Sequence, residues 1–259
     1  MVIPVLMYHE LSKEKKLIAK QYTITQDQFH SHLAYLYTHG YAALTVKDYV
    51  KSLMDPSIKV PSKCVIITFD DGHESDFALS LPVLKKFNYA ATYFVTTDWI
   101  DERRYMSKLQ LQTLKAEGMD IQSHAKTHTY LDALSEDAIN SELDCSRKKL
   151  EDILQEEISC ISLPGGRYNQ RVLNCAKTLG FIGICTSYPF FKRKDEDIFI
   201  IGRYGITQRT TKKQLELVVS NDDWYMLKSR ALYYSKYLLK KLLGNQIYYF
   251  LWERANIKK

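Results

Sequence analysis

The sequence has no run near the ~18 apolar residues that a membrane-spanning helix requires. Its N-terminus, Met-Val-Ile-Pro-Val-Leu-Met-Tyr-His, has neither a basic leader nor a long apolar stretch. No secretory signal is read there, and a cytoplasmic protein is expected. Cysteine is sparse: Cys64, Cys145, Cys160, Cys175 and Cys185 stand far apart, with no CxxC pair. That spacing excludes a disulfide-stapled mini-protein and a thiolate metal cluster, and leaves the five as buried small apolar residues. No linker or low-complexity tract interrupts residues 1–220. What is present is an ordinary globular composition: 46% apolar and 25% charged residues over 259 positions, enough for one large core.

Charge is unevenly spread. The formal net charge is +6, but residues 224–259 hold eight Lys/Arg and one acidic residue, a net +7, so residues 1–223 sum to −1. The same tail concentrates aromatics, with six of the 19 Tyr and two of the three Trp between Trp224 and Trp252, and Phe250 beside them. Leu227, Ala231, Tyr234, Leu238 and Leu242 recur at helical spacing, flanked by Lys228, Lys236, Lys240 and Lys241. Gly244-Asn245 separates that helix from a second. Two readings stay open: peripheral contact of residues 224–259 with an anionic membrane surface, or a helix pair packed on the rest of the chain with its lysines in water. Nucleic-acid binding is not expected, because no reading motif occurs and the remainder of the chain is slightly acidic.

Along residues 1–220, short apolar runs alternate with helical patterns. Val2–Tyr8, Cys64–Phe69, Ala90–Val95, Met119–Ser123, Ser159–Leu163, Phe181–Thr186 and Asp197–Ile201 read as strands. Thr25-Gln-Asp-Gln28 has the form of a capping box opening a helix that stops at Gly40, and Thr45 caps another through Leu53. Further helices are expected at Phe77–Phe87, Ser107–Ala116, Ser135–Leu154 and Asn169–Leu179. Strands apolar on both faces and separated by helices imply a parallel α/β sheet. About seven such repeats in one domain-sized length favour a closed or nearly closed barrel. The expected organisation is a catalytic barrel over residues 1–220 and a C-terminal amphipathic helical extension over 221–259.

In a parallel β/α fold, chemistry gathers where strands end. Thr68-Phe-Asp-Asp-Gly72 follows an apolar strand with two adjacent carboxylates and a turn-permitting glycine. One Asp can ligate a metal while its neighbour serves as a base, although an Asp-Asp-Gly turn alone is also a common structural element. Ser123-His-Ala-Lys-Thr-His128 ends the next strand but one. Its two His are four apart, on one side of the chain if a helix begins there, which is a frequent metal half-site. Two His and one Asp at strand ends of one sheet make a facial N,N,O set with positions left open for water and substrate.

On these residues the chain resembles the polysaccharide deacetylases of carbohydrate esterase family 4. Thr68–Gly72 matches the family's T-F-D-D-G motif. His124–His128 matches H-[ST]-x-x-H, with Ala125 in place of the hydroxyl residue. Leu163-Pro-Gly-Gly-Arg167 resembles the third motif, a proline-glycine turn lining the groove. The resemblance spans roughly residues 1–205 and implies a distorted (β/α)7-type barrel. It also implies Asp71, His124 and His128 as ligands of a divalent metal, commonly zinc, with Asp70 as general base. Pro164, Gly165, Gly166 and Arg167 would contact substrate, and a backbone N–H after the turn would help hold the oxyanion.

The departures carry information too. Relatives usually place an Arg two residues before the third-motif Pro, where this chain has Ser162, and a Leu-x-His motif after the last strand, where Ile201-Gly-Arg203 puts Arg. A coherent relocation has Arg203 supply the missing cation, to Asp70 or to substrate, and His9, at the end of the first strand, act as the acid. A hydrogen-bonded strand-end His is the alternative for His9, and His73, after the Asp-Asp-Gly turn, is a second candidate acid. Arg167 faces either an anionic substrate group or water at the start of a helix. The function expected from the resemblance is metal-dependent deacetylation of an N-acetylated sugar in a glycan or in a lipid- or nucleotide-linked precursor. The competing readings are a catalytically silent sugar-binding barrel and a metal hydrolase of another small amide or ester.

Overall fold

The apolar runs form strands because β-branched and aromatic residues alternate between two faces that are both covered. A computed structural model describes residues 3–14, 21–189, 193–195, 198–235 and 238–239. Its elements in order are β1 (Val5–Tyr8), β2 (Leu11–Ser12), β3 (Ile24–Thr25), α1 (Gln26–Thr38), β4 (Ala42–Leu44), α2 (Val46–Met54), β5 (Cys64–Phe69), a π-turn at Asp76–Ser80 running into α3 (Leu81–Phe87), β6 (Thr92–Val95), α4 (Lys108–Ala116), β7 (Asp120–Ser123), α5 (Glu136–Leu154), β8 (Cys160–Ser162), α6 (Gln170–Thr178), β9 (Gly183–Thr186), β10 (Arg193–Asp195), β11 (Ile198–Gly202), β12 (Tyr204–Gly205) and α7 (Lys212–Val219).

The main sheet runs β10-β11-β9-β8-β7-β6-β5-β1-β12, with β4 also on β5. Every pairing along it is parallel except β10 on β11. The strands β11 and β12 are consecutive in the chain, separated only by Arg203, yet β11 pairs with β9 and β12 pairs with β1. The final strand therefore bends at Arg203 and joins the two ends of the sheet, which gives the nearly closed, distorted barrel. Sequence reading ends the last strand at Ile201; the segment that closes the barrel, Tyr204–Gly205, is too short and too polar to announce itself.

Helix starts follow the caps. Thr25, Thr45, Ser107, Ser135, Asn169 and Thr211 each accept a backbone N–H from the first turn of their helix. At Thr25 the box is one-sided: the Gln28 amide reaches Thr210 O at 3.0 Å instead of returning to the cap.

Period-two alternation sorts the core. On β5, Val65, Ile67 and Phe69 face the helices, whereas Cys64 and Ile66 join Phe94, Cys160, Cys185, Phe199 and Ile201 in a separate inner cluster. Val46, Tyr49 and Val50 of α2 belong to this inner cluster and plug the end of the barrel where the strands begin. Further along the inward face of β5 come Thr68 and Asp70, which turn the opposite end of the interior polar. Four of the cysteines are buried as expected; Cys145, on α5, is exposed.

Residues 223–235 and 238–239 are helical. The stripe expected to drive packing is on the wrong side for that purpose, since Leu227, Ala231, Tyr234 and Leu238 are all exposed. Tyr225, Ser229 and Tyr233 take the inward side, and Tyr225 hydroxyl bonds Tyr204 hydroxyl. The expectations for Lys236, Lys240, Lys241, Leu242, Gly244-Asn245, Phe250 and Trp252 fall outside the described residues, as does the Val2 end of the first strand.

Candidate active site

The polar end of the barrel opens into a groove of about 1020 Å³. His9, Asp70, Asp71, His124, His128, Gly165, Gly166 and Arg167 all line it, so most of the residues singled out in sequence meet in one place.

Asp70 and Asp71 are adjacent, and strict alternation would point one of them away. Asp71 has φ 80°, in the left-handed region, and this turn of the backbone brings both carboxylates to the groove. Asp71 Oδ1 lies 3.4 Å from His124 Nε2 and 3.3 Å from His128 Nε2. That oxygen is buried and accepts no hydrogen bond. His124 Nδ1 sits 2.8 Å from the carbonyl of Ser162. A carbonyl can only accept, so Nδ1 carries the proton and the neutral ring leaves its Nε2 lone pair aimed at Asp71. An orphaned carboxylate oxygen converging with two imidazole nitrogens, one of them held in the ligating tautomer, fits a divalent cation. Asp71, His124 and His128 are the group of potential metal ligands among the described residues.

The His pair does not start a helix. Residues 124–128 form a loop in which Ala125 and His128 both have positive φ, 61° and 66°. Two left-handed residues wrap the chain so that both imidazoles reach Asp71. Glu142 of α5 anchors the loop by accepting from Lys126 N at 3.0 Å, Thr127 N at 2.9 Å and Thr127 Oγ1 at 2.7 Å. Trp99 stacks on the His128 ring at 5.0 Å. Neither Glu142 nor Trp99 could be found from sequence, since nothing in their local pattern differs from an ordinary helix face or turn.

Asp70 is buried and bound on both oxygens. Arg203 Nη1 donates to Oδ1 and Nη2 to Oδ2, each at 2.6 Å, and Ser162 Oγ donates to Oδ2 at 3.1 Å. Arg203 is itself 1% exposed, with Nε on Thr186 O, Nη1 also on Thr68 Oγ1 and Nη2 also on Ser162 Oγ. Its guanidinium therefore meets Asp70, one of the two alternatives open in the sequence, and Ser162 fills the place of the usual Arg as a small bridge between them. Burial would raise the Asp70 pKa, but the charge and hydrogen bonds of Arg203 overcome it and hold the carboxyl below its ordinary range.

His9 faces the groove, with Tyr22 stacked on it at 4.8 Å and its Nδ1 without a hydrogen-bond partner. Burial lowers its pKa, with Asp71 and Asp70 pulling the other way. His73 does not line the groove. Its Nε2 approaches Asp71 Oδ2 at 3.5 Å and its ring stacks on Tyr105, so it backs the ligand carboxylate from behind.

The Pro164-Gly165-Gly166 turn forms the opposite wall. A Cβ on Gly166 would stand 2.3 Å from Ser187 N, and its φ of 69° already excludes most side chains. The Gly166 N–H is engaged inside the turn, donating to Leu163 O at 2.7 Å. Arg167 neither meets solvent alone nor opens a helix. It pairs with Asp132 at 2.9 Å and lies over the Tyr130 ring, and Asn169 caps the helix that follows.

A nearly closed β/α barrel with an Asp-Asp-Gly turn and a converging Asp-His-His group at its polar end defines a hydrolase of the deacetylase type. Comparison with known proteins agrees. The family model for polysaccharide deacetylases matches residues 57–184. YxkH of Bacillus subtilis, which bears the family's name, is 32% identical over 79% of this chain and 71% of its own length. The poly-beta-1,6-N-acetyl-D-glucosamine N-deacetylase of Staphylococcus aureus is 28% identical over 62% of this chain, which spans 60% of that protein. Among solved structures, the deacetylase PplD of Streptococcus pyogenes superposes with a TM-score of 0.76 and 26% identity, covering 85% of this chain and 98% of that one. The chain belongs to the polysaccharide deacetylase family, whose members are hydrolases of carbon–nitrogen bonds other than peptide bonds.

Proposed function

We propose that this chain removes acetyl from an N-acetylated amino sugar in a glycan or in a lipid- or nucleotide-linked glycan precursor. The observation that carries the reading is the orphaned Asp71 Oδ1 facing His124 and His128, beside an Asp70 kept ionised by Arg203. Asp71, His124 and His128 would hold a divalent cation, and an N,N,O set suits zinc. Such a cation would supply Lewis-acid polarisation of the acetyl carbonyl and a more acidic water.

The chain's own groups do the rest. Asp70, ionised and held on both oxygens, takes a proton from the attacking water as the acetyl carbon becomes tetrahedral. Arg203 is a positioning residue: it fixes the plane of Asp70 and opposes its protonation. His9 stands across the groove with its Nδ1 unpartnered, placed to pass a proton to the leaving amine; burial makes its imidazolium a stronger acid and, at neutral pH, the minor form. His73 orients Asp71 through Oδ2. Tyr22 and Tyr130 give the walls flat faces that suit sugar rings, and a groove of about 1020 Å³ takes more than one ring. Two relatives support the chemistry: one is named for poly-N-acetylglucosamine deacetylation, and PplD holds acetate, the product expected here.

A silent sugar-binding barrel would have no use for a carboxylate kept ionised at the cost of a buried arginine. The deciding experiment measures acetate release from a panel of N-acetylated sugars, free, nucleotide-linked and lipid-linked, with and without chelator. Release that stops on chelation and returns with zinc is expected. Release indifferent to chelation would reject the metal mechanism, and none from any substrate would favour the silent binder.

A further inference from the structure

Six of the twelve large apolar side chains exposed among the described residues fall between Trp224 and Leu239. On the helix covering residues 223–235, Trp224, Leu227 and Ala231 repeat at intervals of three and four along one side, and Leu238 continues that spacing in the sequence. Tyr234 reaches back to Tyr188 through ring and hydroxyl, and Leu232 lines the groove. Trp224 is 76% exposed, Leu227 55% and Leu238 55%, values that an unpartnered face has and a packed one does not. The other side of the same helix is committed: Tyr225, Ser229 and Tyr233 line the groove. Lys228 lies between the two, exposed and at the groove rim. One helix is thus both a wall of the groove and the carrier of an uncovered apolar strip.

Two occupants of that strip are physically reasonable, a second copy and a lipid surface. A two-fold dimer through the strip would bring together two segments that each carry a net charge of +7 over residues 224–259. An anionic bilayer answers both features, taking Trp224 and Leu227 into the interface while its headgroups meet Lys228 and the positive charge that the segment carries in its sequence. No helix among the described residues is long and apolar enough to cross a membrane, so the contact is with the surface.

We propose that the exposed face of the 223–235 helix seats on an anionic lipid surface, so that the groove opens at the membrane and receives N-acetylated sugar carried by, or held close to, lipid. The lipid contact stands on the helix alone; the substrate half rests on the deacetylase reading. Flotation of the full chain with vesicles tests the first. Binding is expected with phosphatidylcholine containing about a quarter phosphatidylglycerol and not with phosphatidylcholine alone. It should fall at least about tenfold in Leu227→Asp/Leu238→Asp and in about 0.5 M salt. Neither substituted residue lines the groove, so the variant's circular dichroism and its acetate release from soluble chito-oligosaccharide should match wild type. Wild type floating no better than the variant would overturn the proposal, and so would a stripe-dependent dimer in sedimentation without vesicle binding. For the second half, the same N-acetylated sugar is compared free and lipid-anchored in those vesicles, where the variant should lose rate on the anchored form only. Flotation of Asp70→Asn should equal wild type, so an absence of all deacetylation would reject the enzymatic reading and leave the lipid result separately readable.

Discussion

Replacing Arg203 by methionine tests the core of the site, because this one side chain joins the two ends of the sheet and carries the charge facing the base. Arg203→Met keeps an apolar stem of similar length and removes two 2.6 Å charge-assisted bonds to Asp70, leaving a carboxylate that is 3% exposed without a cation. Removing one partner of a pair buried this deeply costs about 3–5 kcal/mol, since the remaining charge keeps its desolvation penalty. In a chain of this size that lowers Tm by on the order of 10 °C. The sign of the pH effect follows from the balance at Asp70: burial raises its pKa, while Arg203 pulls it down. With Arg203 gone burial prevails, the pKa rises, and the acidic limb of the kcat profile, where the base is lost to protonation, moves to higher pH. Turnover at neutral pH should fall at least about 10²-fold. Circular-dichroism melts and acetate release across pH read both effects. Arg203→Met/Asp70→Asn should regain part of the lost Tm, because the stranded charge is removed, and should regain no activity. If Arg203→Met leaves the acidic limb in place, or if the double variant melts no higher than the single, the account of Asp70 is wrong.

Other outcomes are equally specific. His9→Ala should lower kcat by about 10²–10⁴ while zinc content stays at the wild-type level; turnover near wild type would remove His9 as the acid. Gly166→Ala should destabilise by about 1–3 kcal/mol or more, because a Cβ would lie 2.3 Å from Ser187 N at a φ of 69°, and an unchanged Tm would contradict that turn geometry. His32, buried against the Tyr8 hydroxyl, has its pKa lowered from 6.5 to about 4 by burial. The unfolded chain therefore binds a proton there that the folded chain refuses, so its contribution is complete above pH 6.5 and lost as pH falls toward 4, roughly 3 kcal/mol in all. Urea unfolding at pH 7.5 and 5 should show a smaller difference in His32→Gln, and an identical difference would refute the assignment.

Several features were legible because they are local. Seven strands announced themselves as apolar runs bounded by turn residues, and most helix starts as caps whose side chains need only their own first turn. The T-F-D-D-G and His-x-x-x-His segments were legible for the same reason: strand ends in a parallel sheet gather at one side, so residues distant in sequence could be assigned to one site before any contact was known. The His pair shows the limit. Spacing of four suggests a helix, but the positive φ at Ala125 and His128, stabilised by Glu142 from another element, turns the segment into a loop with the same functional outcome.

The tail stripe shows a different limit. Periodicity at Leu227, Ala231, Tyr234 and Leu238 states that a helix has an apolar side, and does not state what covers it. The barrel takes the tyrosines instead: Tyr225 meets Tyr204, while Tyr233 and, from the stripe itself, Tyr234 meet Tyr188.

By itself the sequence marked out the main strands, most of the helices and the candidate ligands and base, since each depends on a few neighbouring residues and on the rule that parallel strands end together. The partner of the base was decided only by the tertiary structure. Asp70 and Arg203 are 133 residues apart, and their contact exists because the last strand bends at Arg203 to close the barrel. The direction of Asp71, the position of His73 behind it, and the pairing of Arg167 with Asp132 are of the same kind. Each is set by how distant elements fit together, and no local pattern carries that information.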